Sequence, residues 1–279
     1  MRTFSKHPLR VIVSGCCGRM GQRLVTLAHH AKDLALVGAL ESAGHASLGR
    51  DIGECAGVGR LGIPIESRLE RIARRGDVVV EFSTPAATAA HAAVAARLRC
   101  PMVIGTTGLT TTQQAAVRRA SRAIPVLMAP NMSVGVNILY QLAEQATKTL
   151  GDHYDIEIVE THHAGKKDAP SGTAKRLAEV LAQARQQTLN QLAVHGRHGE
   201  QPRRSHQEIG IHAVRAGDVV GDHTVIFATK GERVELTHRA SSRDTFAYGA
   251  LRAARFITRQ RAGLYNMRDV LQLQDHRRQ

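Results

Sequence analysis

The chain has 279 residues, 43% of them hydrophobic, enough for one large core or two modest ones, which excludes a disordered chain. Lys and Arg number 38 against 24 Asp and Glu, a formal charge of +14 at pH 7, a balance that suits nucleic acid, an anionic membrane surface or small anions. The basic residues are spread along the chain in doublets such as Arg74-Arg75 and Arg203-Arg204, and aromatics make up only 3%, too few for base-stacking platforms, so the charge reads as a basic solvated surface with no nucleic-acid partner.

The N-terminal MRTFSKHPLR runs into a strand-like VIVSG without the pattern of a secretory leader. No apolar run of about 18 residues suits a membrane span. From residue 9 short β-branched runs alternate with Ala-rich stretches of helical period, which predicts βαβ units. Residues 9–14, 34–40, 78–82, 102–104 and 126–128 read as strands of a mostly parallel sheet, with crossover helices over 19–32, 86–98 and 112–123.

A helix over 134–150 then leads to an apolar run over 155–160, and a further helix covers 173–187. Residues 190–206 are polar, basic and proline-containing, and read as a mobile loop. Residues 209–215, 219–229 and 233–237 alternate apolar and polar around turns at Ala216-Gly217-Asp218 and Lys230-Gly231-Glu232, so an antiparallel sheet of three consecutive strands is expected in a second domain. A final amphipathic helix over 245–260 places Phe246, Leu251, Ala254 and Ile257 near one face.

Directly after the first strand stands Gly15-Cys16-Cys17-Gly18-Arg19-Met20-Gly21, with a helix following at once. A glycine turn lets backbone approach a pyrophosphate, and the free N–H groups of a helix N-terminus favour its charge. The spacing departs by one residue from the usual G-x-G-x-x-G, and a glycine turn can be purely structural. Glu41 adds context, because an acid at the end of the second strand can accept hydrogen bonds from ribose hydroxyls. No Gly-Lys-Ser/Thr closes the loop, so dinucleotide binding is preferred to phosphoryl transfer. Arg19 favours a 2′-phosphate and Glu41 repels one; NADPH and NADH are both expected as cofactors. Gly105-Thr106-Thr107-Gly108 and Ala129-Pro130-Asn131-Met132 lie at later strand ends, where small residues and amides can close over a nicotinamide.

The second half carries His162-His163, Lys166-Lys167 and Pro170-Ser171-Gly172-Thr173 within a dozen residues. Histidine titrates near neutrality and can protonate a centre as hydride arrives. Lysine offers a fixed cation for a carboxylate. The Gly172 and Thr173 amides at a helix start, with the Thr173 hydroxyl, make an anion site. Singly, each feature is more often solvated surface, and Ser171 reads equally as an N-cap; together they describe a receptor for two carboxylates flanking a proton donor. No metal site is expected: His162 and His163 point apart on an extended chain, and Cys16, Cys17, Cys55 and Cys100 show no zinc spacing. The four read as reduced thiols of a cytoplasmic protein.

The segments GCCGRMG, GTTG, APNMSVGVN, VRAGDVVGDHTV, GERVELTHRASSRDTFAYGA and GLYNMRDVL, with E-x-H-H-x-x-K-x-D-A-P-S-G-T-A at Glu160–Ala174, closely resemble the 4-hydroxy-tetrahydrodipicolinate (dihydrodipicolinate) reductase family over nearly the whole chain. The His-Lys-APSGT signature is highly specific; the glycine turn is not. The resemblance implies reduction of a cyclic hydroxy-imine dicarboxylate, with loss of water, to tetrahydrodipicolinate in diaminopimelate and lysine biosynthesis. It implies His162 as proton donor, assisted by Lys166, and His163, Gly172 and Thr173 as substrate ligands. Gly15 to Met20, Glu41, Gly105 to Thr107 and Ala129 to Met132 would touch the cofactor.

It further implies an α/β chain with an N-terminal Rossmann dinucleotide-binding domain over 1–132 and 243–279. A mixed α+β substrate and oligomerisation domain over 133–242 would assemble a homotetramer. Members that favour NADPH often carry arginine after the ribose-binding acid; here that position is Ser42, so the resemblance does not select NADPH over NADH. The basic segment RHGEQPRRSH at 197–206 also departs from the family pattern. A paralogue that reduces another cyclic imine dicarboxylate, and a basic non-catalytic binding protein that has kept the fold, are the competing readings.

Overall fold

The computed structural model describes residues 7–200 and 204–273, and the chain divides into two compact units, residues 7–133 with 244–273, and residues 134–243. The first begins with β1 (Leu9–Ser14), α1 (Arg19–His30), β2 (Leu34–Leu40), α2 (Ile52–Cys55), β3 (Ile65–Glu66), β4 (Val78–Glu81), α3 (Pro85–Leu98), β5 (Met102–Ile104), α4 (Thr111–Ala120) and β6 (Pro125–Met128). The second contains α5 (Val134–Leu150), β7 (Asp155–His162), α6 (Gly172–Ala184), α7 (Leu189–Leu192), β8 (Ala193–His195), β9 (Ile209–Arg215), β10 (Gly221–Thr229) and β11 (Glu232–Ala240). The chain then re-enters the first unit as α8 (Asp244–Ile257), β12 (Gly263–Tyr265) and α9 (Met267–Leu271).

The first sheet has the order β12-β6-β5-β4-β1-β2-β3 and every pair in it is parallel. Val11, Ile12, Val13, Val78, Val79 and Val80 are wholly buried, as strands covered on both faces must be. One face packs Val11, Val13 and Val80 against α1 and α8, with Leu24, Ala250 and Ala254. The other packs Ile12, Val79 and Met102 against α3 and α4 through Ala92, Ala95 and Val117. The chain leaves β1 toward β2 and crosses back to β4 on its other side, so the carboxyl ends of β1 and β4 mark the topological switch point, where open α/β sheets bind ligands. The two-residue β3, the three-residue β12 and the short α2 and α9 were not expected from the sequence, because elements of this length show no period.

The second sheet runs β11-β10-β7-β9-β8. Here one expectation fails: β9, β10 and β11 do not form a consecutive antiparallel sheet. β9 pairs parallel with β7, and β10 pairs antiparallel with β7 on its other side. Alternation names a strand's faces and not its neighbour. The link from β9 to β10 therefore crosses the end of β7, where the Ala216 amide donates to the His162 carbonyl and the Ala164 amide donates to the Gly217 carbonyl. Ile156, Ile158, Ile209, Ile211, Val225 and Phe227 face α5 and α6, which cover them with Leu139, Ala143, Leu177 and Leu181.

The loop expected over 190–206 is also corrected. Its described part contains α7 and β8, and the arginines described there, Arg197 and Arg204, are paired; residues 201–203 lie outside the described residues. Arg197 donates to Glu157 at 2.9 and 3.2 Å and pairs with Glu208. Arg204 donates to Glu157 at 2.9 Å, to Asp155 at 2.7 Å and to the Ile156 carbonyl at 2.9 Å. The excess of basic residues here answers the acids of β7 and the segment before β9.

Candidate active site

In the first unit all the residues expected to hold a dinucleotide stand at or just beyond carboxyl ends of β1, β2, β5 and β6. Gly15 has φ +72°, and a Cβ there would meet the Phe82 carbonyl oxygen at 2.4 Å; a Cβ on Gly21 would meet the Gly15 carbonyl oxygen at 2.1 Å. Glycine at both positions lets the turn, α1 and the β4 end touch. No side chain caps α1, which leaves its first amides to an anion. Glu41 is held beside them, accepting from the Cys17 amide at 3.1 Å and the Ser42 amide at 2.9 Å. This tight turn, open helix end and adjoining carboxylate fit a dinucleotide's pyrophosphate and ribose.

The other cofactor expectations separate by side chain. Arg19 and Thr107 are exposed and Pro130 likewise, whereas Cys16, Ala129 and Met132 are buried and offer a dinucleotide only backbone. Thr106 points inward and accepts from the Thr88 hydroxyl at 3.0 Å. Asn131 accepts from the Ser133 amide at 2.8 Å, which shapes the turn after β6. Sequence reasoning missed Glu81, which is wholly buried at the end of β4. It accepts from the Ser14 hydroxyl at 3.1 Å, from the Ser83 amide at 3.1 Å, and from the Ser83 hydroxyl. His91 Nδ1 lies 2.7 Å from its other oxygen. The available signal was an acid closing an otherwise apolar parallel strand.

In the second unit the strand pattern builds the site. The inward positions of β7 read Ile156, Ile158, Glu160, His162, and the register sets Glu160 opposite His223 and His162 opposite Arg215. The apolar core thus gives way to a polar cluster at one end of the sheet. His162 Nδ1 lies 2.5 Å from Glu160. An ionised carboxylate only accepts, so Nδ1 carries hydrogen and Nε2 is the nitrogen left to exchange a proton. Nε2 lies where a side chain on residue 221 would be: a Cβ on Gly221 would come within 2.9 Å of it.

Glu160 is wholly buried and also accepts from the Ser171 amide at 2.9 Å and from both ends of the Arg215 guanidinium at 2.9 Å. Burial works against its charge, but the bonds from Arg215, His162 and the Ser171 amide outweigh burial and hold the carboxyl below its ordinary range. Arg215 also donates to the Asp168 carbonyl at 2.6 Å, tying the loop to the pair. His223 lies edge-on to His162 with ring centroids 5.1 Å apart. Burial first, then the neighbouring His162, pushes it down to about 3, so it is a neutral imidazole whose Nε2 meets the Ser171 hydroxyl at 3.0 Å.

The remaining expected residues gather on the same loop and helix start. Lys166 is bonded to exposed Asp168 at 2.8 Å. Ser171 is the N-cap of α6, accepting from the Ala174 amide at 3.1 Å; the Gly172 and Thr173 amides precede that cap bond at the helix start, and Gly172 is exposed. His163 is half-buried, and its carbonyl accepts from the Lys166 amide at 3.0 Å. Sequence reasoning named His162 and Lys166 but missed Arg215 and His223, 53 and 61 residues further along from His162. Only strand register brings them back.

Two family models match the chain in order, the second running through the second unit and on into the segment that returns to the first. The one described as dihydrodipicolinate reductase, N-terminus, matches residues 9–132, and the one described as dihydrodipicolinate reductase, C-terminus, matches 135–271. A 4-hydroxy-tetrahydrodipicolinate reductase of Magnetococcus marinus is 49% identical over 94% of this chain and 98% of its own. That of Nitrosomonas europaea is 46% identical over 95% and 99%. In fold, the chain is similar to the dipicolinate-bound dihydrodipicolinate reductase of Paenisporosarcina, with TM-score 0.74 at 24% identity, covering 93% of this chain and 97% of the other. It is more distantly similar to the amine dehydrogenase of Mycobacterium smegmatis, with TM-score 0.60 at 11% identity over 95% and 96%. Because both family models match in order and together span nearly its whole length, the chain belongs to the dihydrodipicolinate reductase family.

Proposed function

We propose that the chain reduces 4-hydroxy-tetrahydrodipicolinate to tetrahydrodipicolinate, with loss of water, in diaminopimelate and lysine biosynthesis. The observation that carries this reading is the buried Glu160–His162 pair, bonded through Glu160 to Arg215 and to the N-cap of α6, on the strand that leads into the Lys166 loop. NADH or NADPH, when bound at the glycine turn, supplies the hydride. His162 gives the proton from Nε2 while Glu160, locked by Arg215 and Ser171, keeps the ring oriented and stabilises its charged form. Lys166 and the Gly172 and Thr173 amides hold substrate carboxylates, with His163 as a further ligand. Neutral His223 adds no competing charge beside the donor. Arg19, Glu41 and the backbone of residues 105–107 and 129–132 hold the cofactor.

The same reading takes residues 1–132 with 243–279 as the cofactor domain and 133–242 as the domain that binds substrate and builds a homotetramer in the cytoplasm. Exposed Val214, together with Val159 and Ile226, on the sheet face away from α5 and α6, supports assembly through that face. Among the described residues no helix is long and apolar enough to cross a membrane.

The test couples the purified chain to the synthase that makes its substrate and follows cofactor oxidation. His162→Ala and Lys166→Ala are expected to lower kcat by roughly a hundredfold or more, with cofactor affinity nearly unchanged. An inactive wild type, or equal losses in cofactor binding, would remove the assignment.

A further inference from the structure

The glycine turn carries two thiols for which the reduction has no use. Cys16 Sγ and Cys17 Sγ lie 3.9 Å apart, and a carboxylate oxygen of Glu41 lies within 4.8 Å of both. Two thiolates bound to one tetrahedral zinc by bonds of about 2.3 Å are about 3.8 Å apart, so the adjacent cysteines already stand at ligand spacing. The carboxylate is also placed in advance, by the Cys17 and Ser42 amides. Among the described residues no other three His, Cys, Asp or Glu side chains gather in this way. Burial pushes both thiols up, and the Glu41 carboxylate adds to this at each, so in the free protein both carry their protons.

We infer that Cys16, Cys17 and Glu41 form a site for a thiophilic divalent cation of the zinc type, and that its occupation excludes the dinucleotide. Binding forms two metal–sulfur bonds and one metal–oxygen bond and releases two thiol protons to solvent, with no change of oxidation state. The resulting group, two thiolates and a carboxylate on a doubly charged ion, has a net charge of −1. It lies at the uncapped N-terminus of α1, which favours an anion. It also withdraws Glu41 from the ribose and places negative charge beside the pyrophosphate position. The exclusion rests on the cofactor reading given above; the metal site itself does not. A search for C-x-x-C spacing in the sequence passes over this site, because one ligand comes from the next strand.

The experiment titrates the full chain with cadmium ions alone and follows thiolate-to-cadmium absorption in the ultraviolet. One ion per chain is expected. Cys17→Ser and Glu41→Gln should each weaken binding by at least roughly tenfold, with circular dichroism confirming that both variants are folded. Calorimetry in the presence of NADPH at about 100 times its own Kd should raise the half-saturating cadmium concentration roughly a hundredfold. Absence of the absorption, or absorption untouched by both substitutions, overturns the site. A cadmium midpoint unmoved by bound NADPH overturns the exclusion. Failure of NADPH to bind the metal-free chain would instead count against the cofactor reading, and the cadmium result would stand apart from it.

Discussion

Replacing Glu160 by Gln keeps the shape of the side chain and removes its charge, and every partner of the carboxylate is known. One oxygen accepts from His162 Nδ1 and one arm of Arg215; the other accepts from the Ser171 amide and the second arm. A carboxamide has one accepting end, so either orientation aims its NH2 at a guanidinium N–H and at a second donor. Removing one partner of a buried pair costs about 3–5 kcal/mol. Arg215 is 19% exposed along its side chain, which places the loss at the lower end, about 3 kcal/mol. The catalytic effect is separate: without the anion His162 loses the partner that fixes Nδ1–H and supports the imidazolium. A loss of about 100-fold in kcat, or about 2.7 kcal/mol, is expected. Coupled cofactor oxidation measures it, with fluorescence titration reporting cofactor affinity. A kcat within about threefold of the parent, or a parallel loss of cofactor affinity, would refute the orienting role of Glu160.

Two further outcomes concern stability. The Glu157 carboxyl is opposed by burial yet is held down to about 2 from 4.5 by Arg197, His212 and Arg204, worth roughly 3 kcal/mol at about 1.4 kcal/mol per unit. Its folded value is depressed, so this stability is present above pH 4.5 and lost as pH falls from 4.5 toward 2. Thermal melts across that window should flatten in Glu157→Gln, and an unchanged slope would contradict the pairing. In the glycine turn, Gly21→Ala sets a Cβ 2.1 Å from the Gly15 oxygen, whereas Gly18→Ala meets its nearest atom at 3.2 Å. Gly21→Ala should therefore cost about 1–3 kcal/mol or more and Gly18→Ala much less, and the reverse order of Tm would be inconsistent with the packing.

Much of this protein was legible without coordinates, for physical reasons that differ from element to element. Strands buried on both faces must be continuously apolar, so Val78–Val80 and Met102–Ile104 declared a covered parallel sheet. A helix that must present free amides to an anion needs glycine before it, so residues 15–21 marked the cofactor end. The proton donor, the lysine and the amide cradle lie within a dozen residues, so local chemistry sufficed to find His162, Lys166 and Gly172-Thr173. Register is different, since it depends on which strands become neighbours, and alternating side chains leave that choice open. Only the folded sheet sets β7 between β9 and β10. That placement brings Arg215 and His223 to Glu160 and turns a histidine in a loop into an oriented acid. Likewise, only the crossing from β1 to β2 carries Glu41 to Cys16 and Cys17, where three unremarkable side chains acquire the spacing of metal ligands.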